Sequence, residues 1–258
     1  MSHIFIFFNN FSYLSSFLME YDKYLERNKE LYNLLIEFVD CEKDDFIELD
    51  KLLSFINEKE INKRKDEFME FLYLLSHIFN HRHRVSKFIN KFERILSELK
   101  EDIQKIFYNY EIFQIFESSK RILYFLFKEG IILFNQDIAN LMILPYSIYQ
   151  KTNYLFFLRE LKPFISDSSY QNKEKELHKN KEDIFDNIEE NNKERERGEN
   201  TSYISQLIRE DSVEEFISYT QKRDLNLSMK INKSAFESNS FLEKKNPTLI
   251  EYAAFFGS

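Results

Sequence analysis

Glycine and proline are nearly missing from this sequence, three of each in 258 residues. That is about 2% against a usual sum near 12%. Glycine supplies the left-handed turns and proline breaks helices and ladders, so β-sandwiches, β-barrels and collagen-like repeats are disfavoured. Gly130, Gly198 and Gly257 stand too far apart for a phosphate-cradling loop, which removes the P-loop and Rossmann fingerprints. Tryptophan is absent and cysteine occurs once, at Cys41. One cysteine excludes an internal disulfide framework and any multi-cysteine zinc site, and it suits a reducing, cytoplasmic setting. Positive charge is in deficit, with 36 basic against 44 acidic residues and a net charge of −8. Such a surface does not draw in phosphate backbones, so nucleic acid is not an expected partner.

Long uncharged apolar runs are also scarce. The exception is Met1–Leu18, which carries Ile4, Phe5, Ile6, Phe7, Phe8, Phe11, Leu14, Phe17 and Leu18. No Lys or Arg precedes Lys23, and Asn9-Asn10 interrupts the run. A secretory signal needs a basic start and a small-residue cleavage site, and a span needs about 20 apolar residues. The plainer readings of 1–20 are a packing helix, or a non-native start with Met19 as initiator. A membrane-associated helical protein anchored through this segment is the first alternative reading.

What is present points to helices. Hydrophobic residues make up 43% and aromatics 17%, with 28 Phe and 15 Tyr. Ile, Asn, Lys and Phe are all heavily used, as an AT-rich coding bias would give, so the aromatic excess reads as background. Leu31, Leu34, Leu35 and Phe38 fall on one helix face, and Phe46, Leu49, Leu52, Leu53 and Ile56 repeat it. Asp44 and Asp45 stand where a cap and a first-turn anion are favourable. Phe68, Phe71, Leu72, Leu75, Ile78 and Phe79 form the next stripe. Met69, Tyr73 and Leu74 predict a second buried side there. The run from Val85 through Phe92, Leu96 and Leu99 to Ile106 keeps one face for over twenty residues. A period of two would scatter that set over both faces of a strand. Pro145 and Pro163 mark stops or first turns.

From Asp167 to Asn200, 18 of 34 positions are charged. So little apolar material predicts a charged flexible loop over 167–200, with one exposed helix near 181–192. After it, Tyr203, Ile204, Leu207 and Ile208 predict a short helix. Asp211 and Ser212 predict a turn and N-cap, and Val213, Phe216 and Ile217 a second short helix. A hairpin of that size must stack on neighbours to bury both faces.

The sequence Asn246-Pro247-Thr248-Leu249-Ile250-Glu251-Tyr252-Ala253-Ala254-Phe255-Phe256-Gly257-Ser258 resembles the first helix of an ankyrin repeat. The family pattern is Thr-Pro-Leu-His-x-Ala-Ala-x-x-Gly. Thr248, Ala253, Ala254 and Gly257 match in register. Leu249, Ile250 and Glu251 replace proline, leucine and histidine, and Pro247 sits one place early. Residues 203–258, with "LIREDSVEEFISY" and "SAFESNSFLEKKNPTLIEYAAFFGS", are similar to the stretch that opens the array in a large family of protist (trichomonad) ankyrin-repeat proteins. The preceding "SHIFNHRHRVSKFINKFERIL" is similar to their N-terminal domain. Asp211 to Gly257 is a step of 46 positions, longer than the usual 33-residue repeat, which places the extra length in 224–246. "FLFKEGIILFNQD" resembles a second ankyrin helix running into its glycine turn.

The resemblance implies an ankyrin-type α-solenoid whose function is non-catalytic protein–protein interaction. The expected organisation is an apolar segment over 1–20, a helical domain over 21–166, the charged loop over 167–200 and the start of a degenerate repeat array over 201–258. It implies other proteins as partners and no small-molecule substrate. Phe255 and Phe256 then lack a covering helix, so further repeats are expected beyond Ser258.

The histidines give the second alternative, a metal-binding helical enzyme. His77 and His81 lie four apart on one helix face, with His83 close by, a spacing that can hold zinc. No Glu lies between His77 and His81 as metalloproteases need. Histidines with Arg82 and Arg84 near a helix C-terminus complement the macrodipole without a ligand. Cys41, between Asp40 and Glu42, is poorly placed for a nucleophile. No catalytic, cofactor-binding or metal-ligating residue is assigned.

Overall fold

In a computed structural model of the chain, the structure describes residues 22–41, 46–82, 86–143, 156–172, 188–232, 234, 236–239, 242 and 245–257. The apolar segment 1–20, Asp44, Asp45, His83 and Pro145 lie outside them. The protein is all-α. Among the described residues there is no β-strand, only an isolated antiparallel bridge between Lys230 and Thr248.

The helices are α1 (22–40), α2 (Phe46–Glu58), α3 (Lys65–Arg82), α4 (Ser86–Glu98), α5 (Lys100–Ile106), α6 (Asn109–Phe116) and α7 (Lys120–Lys128). They continue with α8 (Gln136–Ile143), α9 (Leu158–Leu161), α10 (167–172), α11 (Ile188–Arg197), α12 (Tyr203–Arg209), α13 (Val213–Lys222) and α14 (Leu249–Phe256). Two 3-10 turns, Ile61–Lys63 and Lys162–Phe164, join them, and the second carries Pro163 in its first turn. The chain divides into two compact units at Glu67–Phe68, within α3. The described residues of the charged stretch 167–200 lie within the second unit.

In the first unit, α1 buries Leu31, Leu35, Phe38 and Val39, and α2 buries Leu49, Leu52, Phe55 and Ile56. The predicted stripe is buried at Leu31, Leu35, Phe38, Leu49, Leu52 and Ile56, whereas Leu34 and Leu53 are half-buried and Phe46 opens α2 at 68% exposure. The Ile61–Lys63 turn follows Glu60, which sits in the left-handed region at φ 55°. Asn62 Nδ2 donates to Asn57 Oδ1 at 2.8 Å, and Arg64 Nη2 to the Lys59 carbonyl at 2.7 Å, so the turn is pinned at both ends.

In the second unit, α3 buries Phe68, Phe71, Leu72, Leu75, Ile78 and Phe79. The second stripe stays largely outside the core, with Tyr73 49% exposed and Met69 and Leu74 half-buried. One buried side suffices because α4 supplies Ile89, Phe92, Ile95 and Leu96. Phe92 meets Phe79 edge-on at 5.3 Å. The long stripe predicted to Ile106 is broken once. Leu99, at ψ 3°, separates α4 from α5 while the amide bonds Leu99→Ile95 and Ile103→Leu99 are kept. Leu99 and Ile103 stay buried across the jog.

The scarcity of glycine does not prevent sharp helix ends. Beyond α7, Gly130 at φ 63° lets Ile131 N–H reach the Leu126 carbonyl, six residues closing one loop. The same bond pattern ends α12 at Asp211 (φ 52°, Ser212 N–H to Leu207 O) and α13 at Asp224 (φ 49°, Leu225 N–H to Thr220 O). Aspartate tolerates the left-handed region better than most residues, so it substitutes for glycine at these ends.

Residues 188–200, within the stretch read as a charged loop with one exposed helix, pack against α7. Arg195 is the physical reason. Its guanidinium lies over Tyr124 at 4.2 Å, Phe156 at 5.1 Å and Phe157 at 5.4 Å, and its Nη2 pairs with Glu160 Oε1 at 2.9 Å. Arg121 Nη1 caps the helix by donating to the Arg197 carbonyl at 2.7 Å. Gly198, at φ 64°, then leaves room for Ser238, which donates both N–H and Oγ–H to the Gly198 carbonyl. A charged sequence can bury one arginine at little loss when aromatic faces and a carboxylate receive it.

Candidate interaction surface

The functional reading falls on 199–257, where three short helices and a loop assemble around a small core. Helix α12 packs against both α13 and α14. The α12–α13 turn is the Asp211–Ser212 pair, as the sequence suggested, although Ser212 caps α13 through its backbone without a side-chain bond. Ile208, Ile231, Leu242, Leu249 and Tyr252 are buried together, with Ile204, Phe216, Ala253, Phe255 and Phe256 half-buried around them. Phe255 and Phe256, expected to lie bare, thus share this core, with Phe256 4.9 Å from the Tyr252 ring.

Helix α14 begins with a reciprocal capping box. Thr248 Oγ1 accepts from Glu251 N–H at 3.2 Å, and Glu251 Oε2 accepts from Thr248 N–H at 2.8 Å. The bond from the Thr248 backbone, followed by that from its hydroxyl, holds the Glu251 carboxyl below its ordinary range. The helix ends at Gly257, φ 78°, whose N–H reaches the Ala253 carbonyl. Before α14, the loop folds back as a finger. Ile231 N–H donates to the Pro247 carbonyl, Leu249 N–H to Met229 O and Ile250 N–H to Leu227 O.

One polar group fastens α12 to α14. Arg209 Nη1 donates to the Tyr252 hydroxyl at 2.9 Å and to the Asn200 carbonyl at 2.8 Å, while Nε faces Glu199 Oε2 at 3.0 Å. Burial, reinforced by Glu237 and opposed by Arg209, pushes the Tyr252 hydroxyl far above its ordinary range. Asn200, itself buried, ties the start of α12 to the finger by donating to the Asn232 carbonyl at 2.8 Å. Neither Asn200 nor the Arg209–Tyr252 pair is visible as a motif, because the pairing spans 43 residues.

Around this frame six large apolar side chains face solvent. Tyr203, Val213 and Ile217 stand on α12 and α13, Leu227 and Met229 on the finger, and Ile250 on α14. All six are between 44% and 55% exposed. Helix α13 buries none of its residues fully.

The metal reading gains no geometry. His77 is exposed on α3, the His81 side chain and His83 lie outside the described residues, and no group of three metal-ligating side chains occurs among the described residues. Cys41 is half-buried and forms no disulfide. No helix among the described residues is long and apolar enough to cross a membrane. No protein-family model matches the chain, and no curated protein or solved structure matches it either.

Proposed function

We propose that the chain is a non-catalytic protein–protein interaction scaffold of the ankyrin-repeat type, with 201–258 as its opening repeats. The observation that carries this reading is the stacking of α12 on both its hairpin partner α13 and the next first helix, α14, with a bridged finger between them. Glu251, at the position where the family pattern has histidine, closes a capping box with Thr248. Left-handed residues at Asp211 and Gly257 fall at equivalent helix ends, as the 46-residue step requires. Partners would be proteins that present a complementary apolar strip to Leu227, Met229 and Ile250.

The test is affinity capture with the full chain and with the double variant Leu227→Asp/Met229→Asp. Both residues are exposed, so helicity and melting temperature should be kept. The expected result is a set of proteins retained by the wild type and lost with the double variant. Identical recoveries from both would remove the scaffold reading at this surface.

A further inference from the structure

The first unit contains a cleft that the scaffold reading does not use. Its volume is about 860 Å³, within the range of small-molecule sites. Its walls come from the first half of α1 and from the pinned turn between α2 and α3. In a chain with net charge −8, five of the ten lining residues are cationic and three are acidic.

At its floor two guanidiniums converge on one oxygen. Arg27 Nη2 lies 2.9 Å and Arg64 Nη2 2.7 Å from Glu67 Oε2. The Arg27 side chain is only 16% exposed. Its planar group lies 5.2 Å from the Tyr24 ring, and its Nε is sealed from solvent without an acceptor. Arg64 is held by its bond to the Lys59 carbonyl, and Lys59 also lines the cleft. A buried guanidinium nitrogen left without an acceptor is costly, and a fork of two arginines fits an oxyanion with several oxygens better than one carboxylate. Glu67 thus occupies the place of an anion with fewer acceptor oxygens than the arginines have donors.

We infer that this cleft binds a small polyphosphate-class anion, whose oxygens take the Arg27 and Arg64 donors that now lie beside Glu67 Oε2 without hydrogen-bonding to it, with Lys59 and Lys23 neutralising the remaining charge. Glu26 and Glu30 also line the cleft, so the ligand must be compact enough to stay on the arginine side. This goes beyond the scaffold reading and does not depend on it, because every residue involved lies in the first unit.

The experiment is calorimetric titration of the full chain with inorganic pyrophosphate, inorganic phosphate and citrate at fixed ionic strength. Pyrophosphate should bind saturably, more tightly than phosphate or citrate. Arg64→Gln, at a side chain 48% exposed, should weaken binding about tenfold or more, read at a temperature where circular dichroism shows the variant still folded. Glu67→Gln should strengthen it, because the competing carboxylate is gone. Lys222→Gln, in the other unit, should leave it unchanged. Absence of saturable pyrophosphate binding in both the wild type and Glu67→Gln overturns the proposal. So does equal weakening by Lys222→Gln, and citrate binding as tightly as pyrophosphate overturns the assignment to phosphate chemistry.

Discussion

Replacing Arg195 separates two opposite accounts of residues 188–200. If this stretch were a solvated loop, Arg195→Ala would change stability by no more than about 0.5 kcal/mol, as exposed substitutions do. In the structure the side chain is 5% exposed, pairs with Glu160 and covers three aromatic rings. Splitting a buried pair costs about 3–5 kcal/mol, and a desolvated cation–π contact adds up to about 2. Glu160 keeps 30% of its side chain in water, which returns part of its hydration and sets the lower end of that range. Arg195→Ala should therefore destabilise the second unit by about 3 kcal/mol, a fall of roughly 6–12 °C in melting temperature. Arg195→Met keeps an apolar stem between the rings and should cost about half as much. Urea unfolding followed by far-ultraviolet circular dichroism reads both. A loss under 0.5 kcal/mol for the alanine variant would refute the buried-arginine account of α11.

Three further perturbations follow from the same geometry. A Cβ on Gly198 would sit 2.7 Å from Ser238 Oγ at φ 64°, whereas one on Gly257 meets only backbone strain at φ 78°. Gly198→Ala should therefore lower the midpoint of urea unfolding clearly more than Gly257→Ala, whose cost is about 1 kcal/mol. Thr248→Ala removes half of the α14 capping box and should cost about 1 kcal/mol, measured by the same unfolding curves. Burial raises the Glu117 carboxyl above its ordinary 4.5. The folded protein then holds this proton more tightly than the unfolded chain. That contribution is fully present below the unfolded value and is lost as pH rises through the folded value. Glu117→Gln should accordingly gain stability relative to the wild type as pH rises from about 4 to about 7; a constant difference across that interval would contradict the burial of this group.

The helical stripes were legible because a 3.6-residue period leaves few other interpretations. Leu35, Leu52, Phe71, Leu75, Phe92 and Leu96 are all in the core. Helix breaks were less legible. Leu99 interrupts a continuous stripe without any proline or glycine to announce it, and the hydrogen bonds on either side survive. Turns were underestimated, because Asp211 and Asp224 adopt the left-handed conformation that the count reserved for glycine. The packing of 188–200 was illegible for a different reason. Composition counts charges without knowing their partners, and Arg195 becomes a core residue only when Tyr124, Phe156 and Phe157 are brought to it from distant parts of the chain. The two-arginine floor of the first-unit cleft was invisible for the same reason, since Arg27 and Glu67 are 40 positions apart.

The scaffold account rests on α14 being stacked against α12. An eight-residue helix on its own is marginal in water, so its amides are protected only if it is packed. Native-state hydrogen exchange of the full chain measures this directly at Tyr252, whose N–H bonds to the Thr248 carbonyl, and at Glu210, whose N–H bonds to the Gln206 carbonyl. The account predicts that both amides are protected, that they open together, and that Arg209→Met lowers the two by the same amount. A Tyr252 amide exchanging at the free-chain rate while Glu210 stays protected would contradict it.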